Sequence, residues 1–282
     1  MNMDCRRALD GRGGRVAGLL TVVVLLTSPP ARAEAGLADM IDVAGGLLVM
    51  GDPGGEPDEV ARKVMIEPFR LMRHEVTNGA FADFVRRSGH RTDPEQRGRG
   101  HVWTGRWRLI DGADWRHPFG PSSDIDGKED HPVVQVSAND AAAFCAFHGW
   151  RLPSEEEWEF AARGTDGRRY PWGDRDPEQS DERAALANFG TVPCCAADDR
   201  DGFLTTAPVG SYPAGVGPFG HQDLAGNVWE WTSSRFPGRP DQVVLRGGGW
   251  GNNPYCLRTS YRHGNPPDIG LDMVGFRCAA DR

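Results

Sequence analysis

The part of the chain that follows Tyr170 has almost no helical periodicity, and this feature restricts the possible folds most. Apolar residues there do not recur at the three- and four-residue spacing of an amphipathic helix. Instead, tryptophans such as Trp172, Trp229 and Trp250 are separated by clusters of glycine and aspartate. Such long irregular segments are uncommon unless ions or disulfides hold them. The sequence therefore predicts an α+β fold with low regular secondary structure, in which loops carry much of the chain.

Composition and charge indicate a folded protein and exclude one class of partner. The 282 residues include 37 Gly and 21 Pro, which predicts many turns, and 9% aromatic residues, which is typical of a folded protein rather than a disordered one. The net charge is −8. Because phosphate binding relies on concentrated positive charge, this acidic chain is not expected to bind nucleic acid.

The N-terminus has the pattern of an export signal. Arg6 and Arg7 precede an apolar run over residues 16–26, and a small-x-small pattern ends at Ala33. Eleven apolar residues are too few to span a ~30 Å hydrocarbon core, which argues against a membrane anchor. We therefore predict a cleaved signal peptide over 1–33 and a single domain over 34–282. The mature protein is expected to be a periplasmic or secreted monomer without a membrane span.

Local patterns predict strands and helices in the first half of the chain. Apolar and β-branched residues predict strands over 41–50 and 63–72. Three helices are predicted between a capping residue and a glycine: Thr77 to Gly89, Ser137 to Gly149 and Ser154 to Gly164.

Several motifs follow one another in a recognisable order. They occupy residues 112–121, 131–137, 151–164, 170–173, 226–232, 246–250 and 275–282. Among them are Gly226-Asn-Val-Trp-Glu-Trp-Thr232 and Arg246-Gly-Gly-Gly-Trp250. From about Ile41 to its end, the chain resembles the formylglycine-generating enzyme family, also called sulfatase-modifying factors. This resemblance implies a fold related to C-type lectins, with bound calcium.

The resemblance also implies an activity. Enzymes of this family oxidise a cysteine in a short motif of a sulfatase to Cα-formylglycine, using oxygen and copper(I). An exported sulfatase, or another peptide or small molecule, is therefore the expected substrate.

Calcium prefers six to eight oxygen ligands, often from an irregular loop. The resemblance implies two sets of calcium ligands: Asn188, Asp201 and the carbonyls of Phe189 and Phe203 in the first, and Asp223, Glu230 and the carbonyls of Gly226 and Val228 in the second. The alternative is that these polar residues only form turns. In the first set, Asp198 and Asp199 are close rivals of Asp201.

The implied copper site is incomplete in this sequence. By resemblance, copper(I) lies between two cysteines spaced Cys-x4-Cys, and Cys256 is the second of them. The position of the first is Gly251, or Asn252 if the alignment slips by one residue, and Gly249 stands where the family tends to have serine. One thiolate cannot supply a two-sulfur site. Cys256 is thus the candidate catalytic residue, with Trp229, Tyr255 and Arg258 as candidate pocket residues.

Two hypotheses about function follow. One is an exported oxidase of the formylglycine-generating type or a relative with another substrate. The other is a non-catalytic, calcium-stabilised binding or maturation module of the same fold.

The remaining cysteines have predicted structural states. By resemblance, Cys145 forms a disulfide with Cys278. Cys5 is removed with the signal peptide, and Cys194 and Cys195 either bond each other or stay reduced. Cys256 is then the unpaired cysteine.

Overall fold

A computed structural model describes residues 39–179, 186–191 and 199–282. The predicted signal peptide, Cys194 and Cys195 lie outside these ranges. Within them, no helix is both long and apolar enough to cross a membrane.

Short helices and strands alternate with long irregular segments. In the described ranges, the α-helices are α1 Asn78–Ser88, α2 Asp93–Arg97, α3 Ala138–Phe147 and α4 Glu155–Arg163. The strands are β1 Met40–Val43, β2 Gly46–Met50, β3 Arg62–Ile66, β4 Phe69–Met72, β5 Arg99–Trp103, β6 Trp107–Asp111, β7 Trp229–Phe236, β8 Arg239–Arg246, β9 Arg262–Asn265, β10 Val274–Gly275 and β11 Ala279–Asp281. Single 3₁₀ turns cover Pro177–Gln179, Pro213–Gly215 and Pro254–Leu257.

The predicted helix starts are confirmed. Thr77 caps α1, and Ser137 and Ser154 form capping boxes at the starts of α3 and α4. Each side-chain oxygen accepts a backbone N–H that would otherwise lack a partner. Helix α3 ends at Phe147 with His148 as its C-cap, slightly earlier than the Gly149 stop predicted from sequence.

The two strands predicted over 41–50 and 63–72 were wrong as continuous elements, because each divides into two. Gly45 has a φ of +75°, and a Cβ there would lie 2.3 Å from the carbonyl oxygen of Ile66. The chain must therefore bend between β1 and β2 with a residue that has no side chain. Pro68 lies in the matching break between β3 and β4.

This division separates the strands into small sheets. One sheet has the order β1-β4-β11, and another has the order β10-β7-β8-β9. Strands β2 and β3 form one hairpin, and β5 and β6 form another. Among the strands named above, only short β10 pairs in parallel with another strand, against the start of β7.

The predicted disulfide between Cys145 and Cys278 is present, with the two Cα atoms 5.7 Å apart. It lies in the largest core cluster, near the stacked rings of Phe81 and Phe144 and the edge of Phe276. The bridge joins α3 to the residue before β11 across 133 positions. In the loop-entropy model, a bridge of this length stabilises the fold by about 5 kcal/mol.

We predict that the double substitution Cys145→Ala with Cys278→Ala lowers the free energy of unfolding by about 2–5 kcal/mol. Urea unfolding of both proteins measures the difference. A reductant should destabilise the wild type similarly and leave the double variant unchanged. Equal stability of variant and wild type would contradict the prediction.

Candidate functional site

The segment between β8 and β9 brings the candidate site residues together. Cys256 lies in the 3₁₀ turn Pro254–Leu257 and is only 6% exposed. Trp229, the first residue of β7, approaches this segment through Asn252. The Asn252 side-chain oxygen accepts hydrogen bonds from Trp229 Nε1 at 2.7 Å and from the Gly249 backbone N–H at 2.9 Å. Asn252, one of two candidates for the missing cysteine position, thus holds this turn closed.

Gly249 leaves no space for the serine that the resemblance implies. A Cβ at this position would lie 2.9 Å from Met273 Cγ and 3.2 Å from the Met273 carbonyl oxygen. It would also lie 3.3 Å from a ring carbon of Trp229. The site is therefore filled by packed apolar atoms where a hydroxyl was expected.

Arg258, predicted as a pocket residue, is 3% exposed. Its guanidinium donates to both carboxylate oxygens of Glu59, at 2.7 and 3.0 Å, and lies 3.4 Å from Asp52. It also lies 4.1 Å from the ring centre of Tyr255. Such a bidentate charged pair is strong and directional, so Arg258 anchors the 51–59 segment beside the cysteine.

Tyr255 is 42% exposed and is the most accessible of the predicted pocket residues. Its hydroxyl donates to Glu56 at 2.8 Å. Tyr255 also borders a cavity of about 200 Å³ whose other lining residues include Arg169, Tyr170 and Asp176. This cavity lies next to the turn that contains Cys256.

The donor set does not fit the implied copper site. Cys145 and Cys278 are bonded to each other, so Cys256 supplies the one thiol in the described residues. Gly251 offers no side-chain donor, and Asn252 offers an amide, which is a poor ligand for a soft cation. Within the described ranges, a two-thiolate site cannot be assembled.

The first predicted calcium set is brought together. The Asp201 carboxylate accepts hydrogen bonds from the backbone N–H groups of Phe189 at 2.6 Å and Phe203 at 3.2 Å. Asn188 is buried next to Phe189, and its side-chain oxygen has no hydrogen-bond partner. An orphaned buried oxygen is costly unless a further group satisfies it. These residues therefore fit an oxygen-ligated cation.

The second predicted set lies directly beside the first. A Cβ on Gly226 would lie 2.2 Å from the Asn188 carbonyl oxygen, so the two segments meet without a side chain between them. Asn227 joins them, because its side-chain oxygen accepts from Asn188 Nδ2 at 3.2 Å. Val228, next along the chain, is fully buried.

A buried carboxylate that the sequence did not reveal lies at this second set. Glu75 comes just before α1, directly after Arg73 and His74, and no sequence signal distinguishes it. Burial, followed by the charge of Asp223, raises the pKa of Glu75 well above its usual value. Burial also raises the pKa of Asp223 to about 6. Glu75 Oε2 has no hydrogen-bond partner.

Glu230, the other side chain of this set, is already neutralised. Both of its oxygens accept from the buried guanidinium of Arg277 at 2.7 Å, and one also accepts from Trp158 Nε1 at 2.9 Å. No group of three or more His, Cys, Asp or Glu side chains in the described part of the chain is arranged to hold a metal. Calcium binding would thus depend on carbonyl and amide oxygens together with Asp201 and Asp223.

Asp272 is a further residue that sequence reasoning missed. It is fully buried behind the site, next to Met273. One carboxylate oxygen accepts from the Trp103 N–H at 2.9 Å, and the other has no partner. Burial raises the pKa of Asp272 to about 7.

Comparison with known proteins agrees with this geometry. The sulfatase-modifying factor enzyme 1-like domain matches residues 27–282. The chain belongs to this family. It is 37% identical to an inactive C-alpha-formylglycine-generating enzyme 2 from Bos taurus, over 95% of this chain and 97% of that protein. It is 38% identical to a formylglycine-generating enzyme from Streptomyces coelicolor, over 92% and 97%.

A solved structure of PvdO from Pseudomonas aeruginosa superposes on the chain with a TM-score of 0.67 at 27% identity, over 86% of this chain and 94% of that chain. The predicted family and its α+β fold with low regular secondary structure are thus confirmed. Because sulfatase-modifying factor relatives carry both active and inactive names, the chemistry of this member depends on its own site.

We predict that calcium stabilises the protein by about 2.7 kcal/mol at a hundredfold excess over its dissociation constant. Thermal unfolding with calcium and after chelation measures this effect. Asn188→Ala should weaken the calcium-dependent shift, because it removes the orphaned oxygen. Magnesium, which requires a tighter octahedral site, serves as the ion control. Identical melting with calcium and chelator would contradict the prediction.

We predict that Asp272 makes the free energy of unfolding depend on pH. Because its folded pKa of about 7 lies above the unfolded value, its stabilising contribution is fully present below about pH 4 and is lost as the pH rises through 7. Between pH 5.5 and 8 the wild type should lose about 2 kcal/mol relative to Asp272→Asn. Urea unfolding of both proteins at the two pH values gives this difference directly. A difference that does not change with pH would refute the assignment.

Proposed function

We propose that residues 34–282 form an exported, calcium-stabilised binding or maturation module of the sulfatase-modifying factor family, which acts without copper-dependent oxidation. The observation that best supports this proposal is the side-chain oxygen of Asn252, which accepts hydrogen bonds from Trp229 and Gly249 beside Cys256, the one thiol in the described part of the chain. Copper(I) held between two protein thiolates requires a second sulfur close to Cys256.

Several features of the site support recognition as its role. The Cys256 thiol is buried, whereas neighbouring Tyr255 is exposed beside a cavity. Arg258 and Glu59 fix the wall of this region through their bidentate pair. A rigid wall with an exposed aromatic side chain suits binding, because little conformational entropy is lost when a ligand docks.

The scaffold for this module would be held by calcium in the two predicted sets. Asn188 and Asp201 offer side-chain oxygens in the first set, and Asp223 offers one in the second. When bound, calcium would supply positive charge to buried oxygens. The predicted export signal over 1–33 supports a periplasmic or secreted location, an oxidising setting that would suit the Cys145–Cys278 bond.

The family oxidase activity is the second candidate function. It is favoured by the presence of Tyr255 and Cys256 in one turn, with Trp229 bonded to Asn252 beside it, and by the 38% identity to a formylglycine-generating enzyme. Its substrate would be a cysteine of an exported sulfatase or of another peptide. This activity requires a second copper ligand from outside the described residues.

We predict that the purified full chain binds no stoichiometric copper(I) beyond the amount bound by Cys256→Ser. It should also form no aldehyde on a Cys-x-Pro-x-Arg peptide. Competition titration with a copper(I) chelator and mass spectrometry of the peptide provide the two measurements. The Cys256→Ser variant removes one sulfur and adds no charge, so it is the matched control. Cys256-dependent copper binding together with aldehyde formation would establish the oxidase instead.

A further inference from the structure

The β5–β6 hairpin presents an exposed face that the proposed site does not use. Across the two strands, Trp103 pairs with Trp107 and His101 pairs with Leu109. The Trp107 and Leu109 side chains are 40% and 45% exposed, although both are large and apolar. Scattered exposed apolar residues are ordinary, but adjacent ones beside a cavity indicate a binding surface.

A cavity of about 340 Å³ opens at one end of this face. Residues from α2, β5, β6 and the 268–270 segment line it, including Arg97, Arg99, His101, Leu109, Asp268 and Ile269. The cavity thus combines an apolar wall with positively charged side chains. This is the usual composition of a site that orients a ligand through one polar contact.

The two arginines that line this cavity differ in their ion pairing. Arg97 forms an ion pair with Asp268. The Arg99 side chain, by contrast, makes no ion pair or hydrogen bond with any described residue, although it lies in the cavity wall. Asp111 lies opposite Arg99 in the hairpin, but its carboxylate does not form an ion pair with this guanidinium. The exposed Arg106 adds positive charge at the hairpin turn, whereas Arg108 lies on the opposite face of the hairpin, across from Val102. On a chain with a net charge of −8, this local excess of arginine favours an anionic ligand.

The free edge of β6 indicates what kind of anion fits. One edge of β5 pairs with β6, and its other edge meets Leu271. In the described residues, β6 has no second strand on its outer side. An unpaired strand edge can hydrogen-bond an extended peptide backbone, whereas a carbohydrate cannot continue the ladder.

We propose that this face binds an extended acidic peptide segment, with a carboxylate at Arg99 and an apolar side chain against Trp107 and Leu109. An arginine can pair with a carboxylate in a bidentate geometry. The proposal deepens the recognition role proposed above by naming a ligand class. It does not depend on the chemistry at Cys256, so peptide binding and the copper test can fail separately.

The experiment measures the fluorescence anisotropy of a labelled, end-blocked peptide of alternating Glu and Val, titrated with the full chain. A peptide with Gln in place of Glu should bind at least tenfold more weakly. Arg99→Gln and Trp107→Ala should each weaken binding of the Glu peptide about tenfold. Arg235→Gln, which alters an exposed arginine on the other sheet, is the matched control and should leave binding unchanged.

Other outcomes would overturn the proposal. These are equal affinity for the Glu and Gln peptides, or no effect of Arg99→Gln. Displacement of the peptide by an oligomer of uronic acid at lower concentration than by unlabelled peptide would assign the face to an acidic polysaccharide. Because Arg99 and Trp107 are exposed, circular dichroism should show that both variants keep the fold.

Discussion

The rest of the structure depends on the buried ion pair between Arg277 and Glu230. The Arg277 guanidinium bonds both oxygens of Glu230 on β7 and also donates to the carbonyls of Arg73 and Gln222. Removing one partner of such a buried pair typically costs 3–5 kcal/mol, because the other charge is left unpaired. The next residue, Cys278, is covalently attached to α3. Arg277 and its neighbour therefore fix the positions of segments that share few regular backbone contacts.

The charge around Arg277 connects the core to the predicted calcium sets. Glu75 and Asp223 lie close by, and one guanidinium cannot neutralise them as well as Glu230. Burial is the main cause of the raised pKa values of Glu75 and Asp223, and the neighbouring carboxylates raise them further, because protonation removes negative charge from a buried region. A divalent cation would serve the same purpose with oxygens already in place. Scaffold stability and the proposed calcium binding would therefore depend on one buried network.

Hydrogen bonds and packing hold the shape of the candidate site. Asn252 holds Trp229 and the Gly249 backbone, while Met273 fills the space beside Gly249. This explains how the chain can keep the family fold while Cys256 remains a single buried thiol.

Local rules acting within a few residues determined the helix starts at Thr77, Ser137 and Ser154, and the ordered motifs determined the family. The sequence by itself also showed that the copper ligands are incomplete. Only the tertiary structure decided that Arg258 binds Glu59, a partner 199 positions away, and that Glu75 is buried beside Asp223. The bend at Gly45 also depends on a distant carbonyl. Burial and charge pairing arise between segments that are distant in the sequence, and local sequence patterns do not predict which of these segments will be in contact.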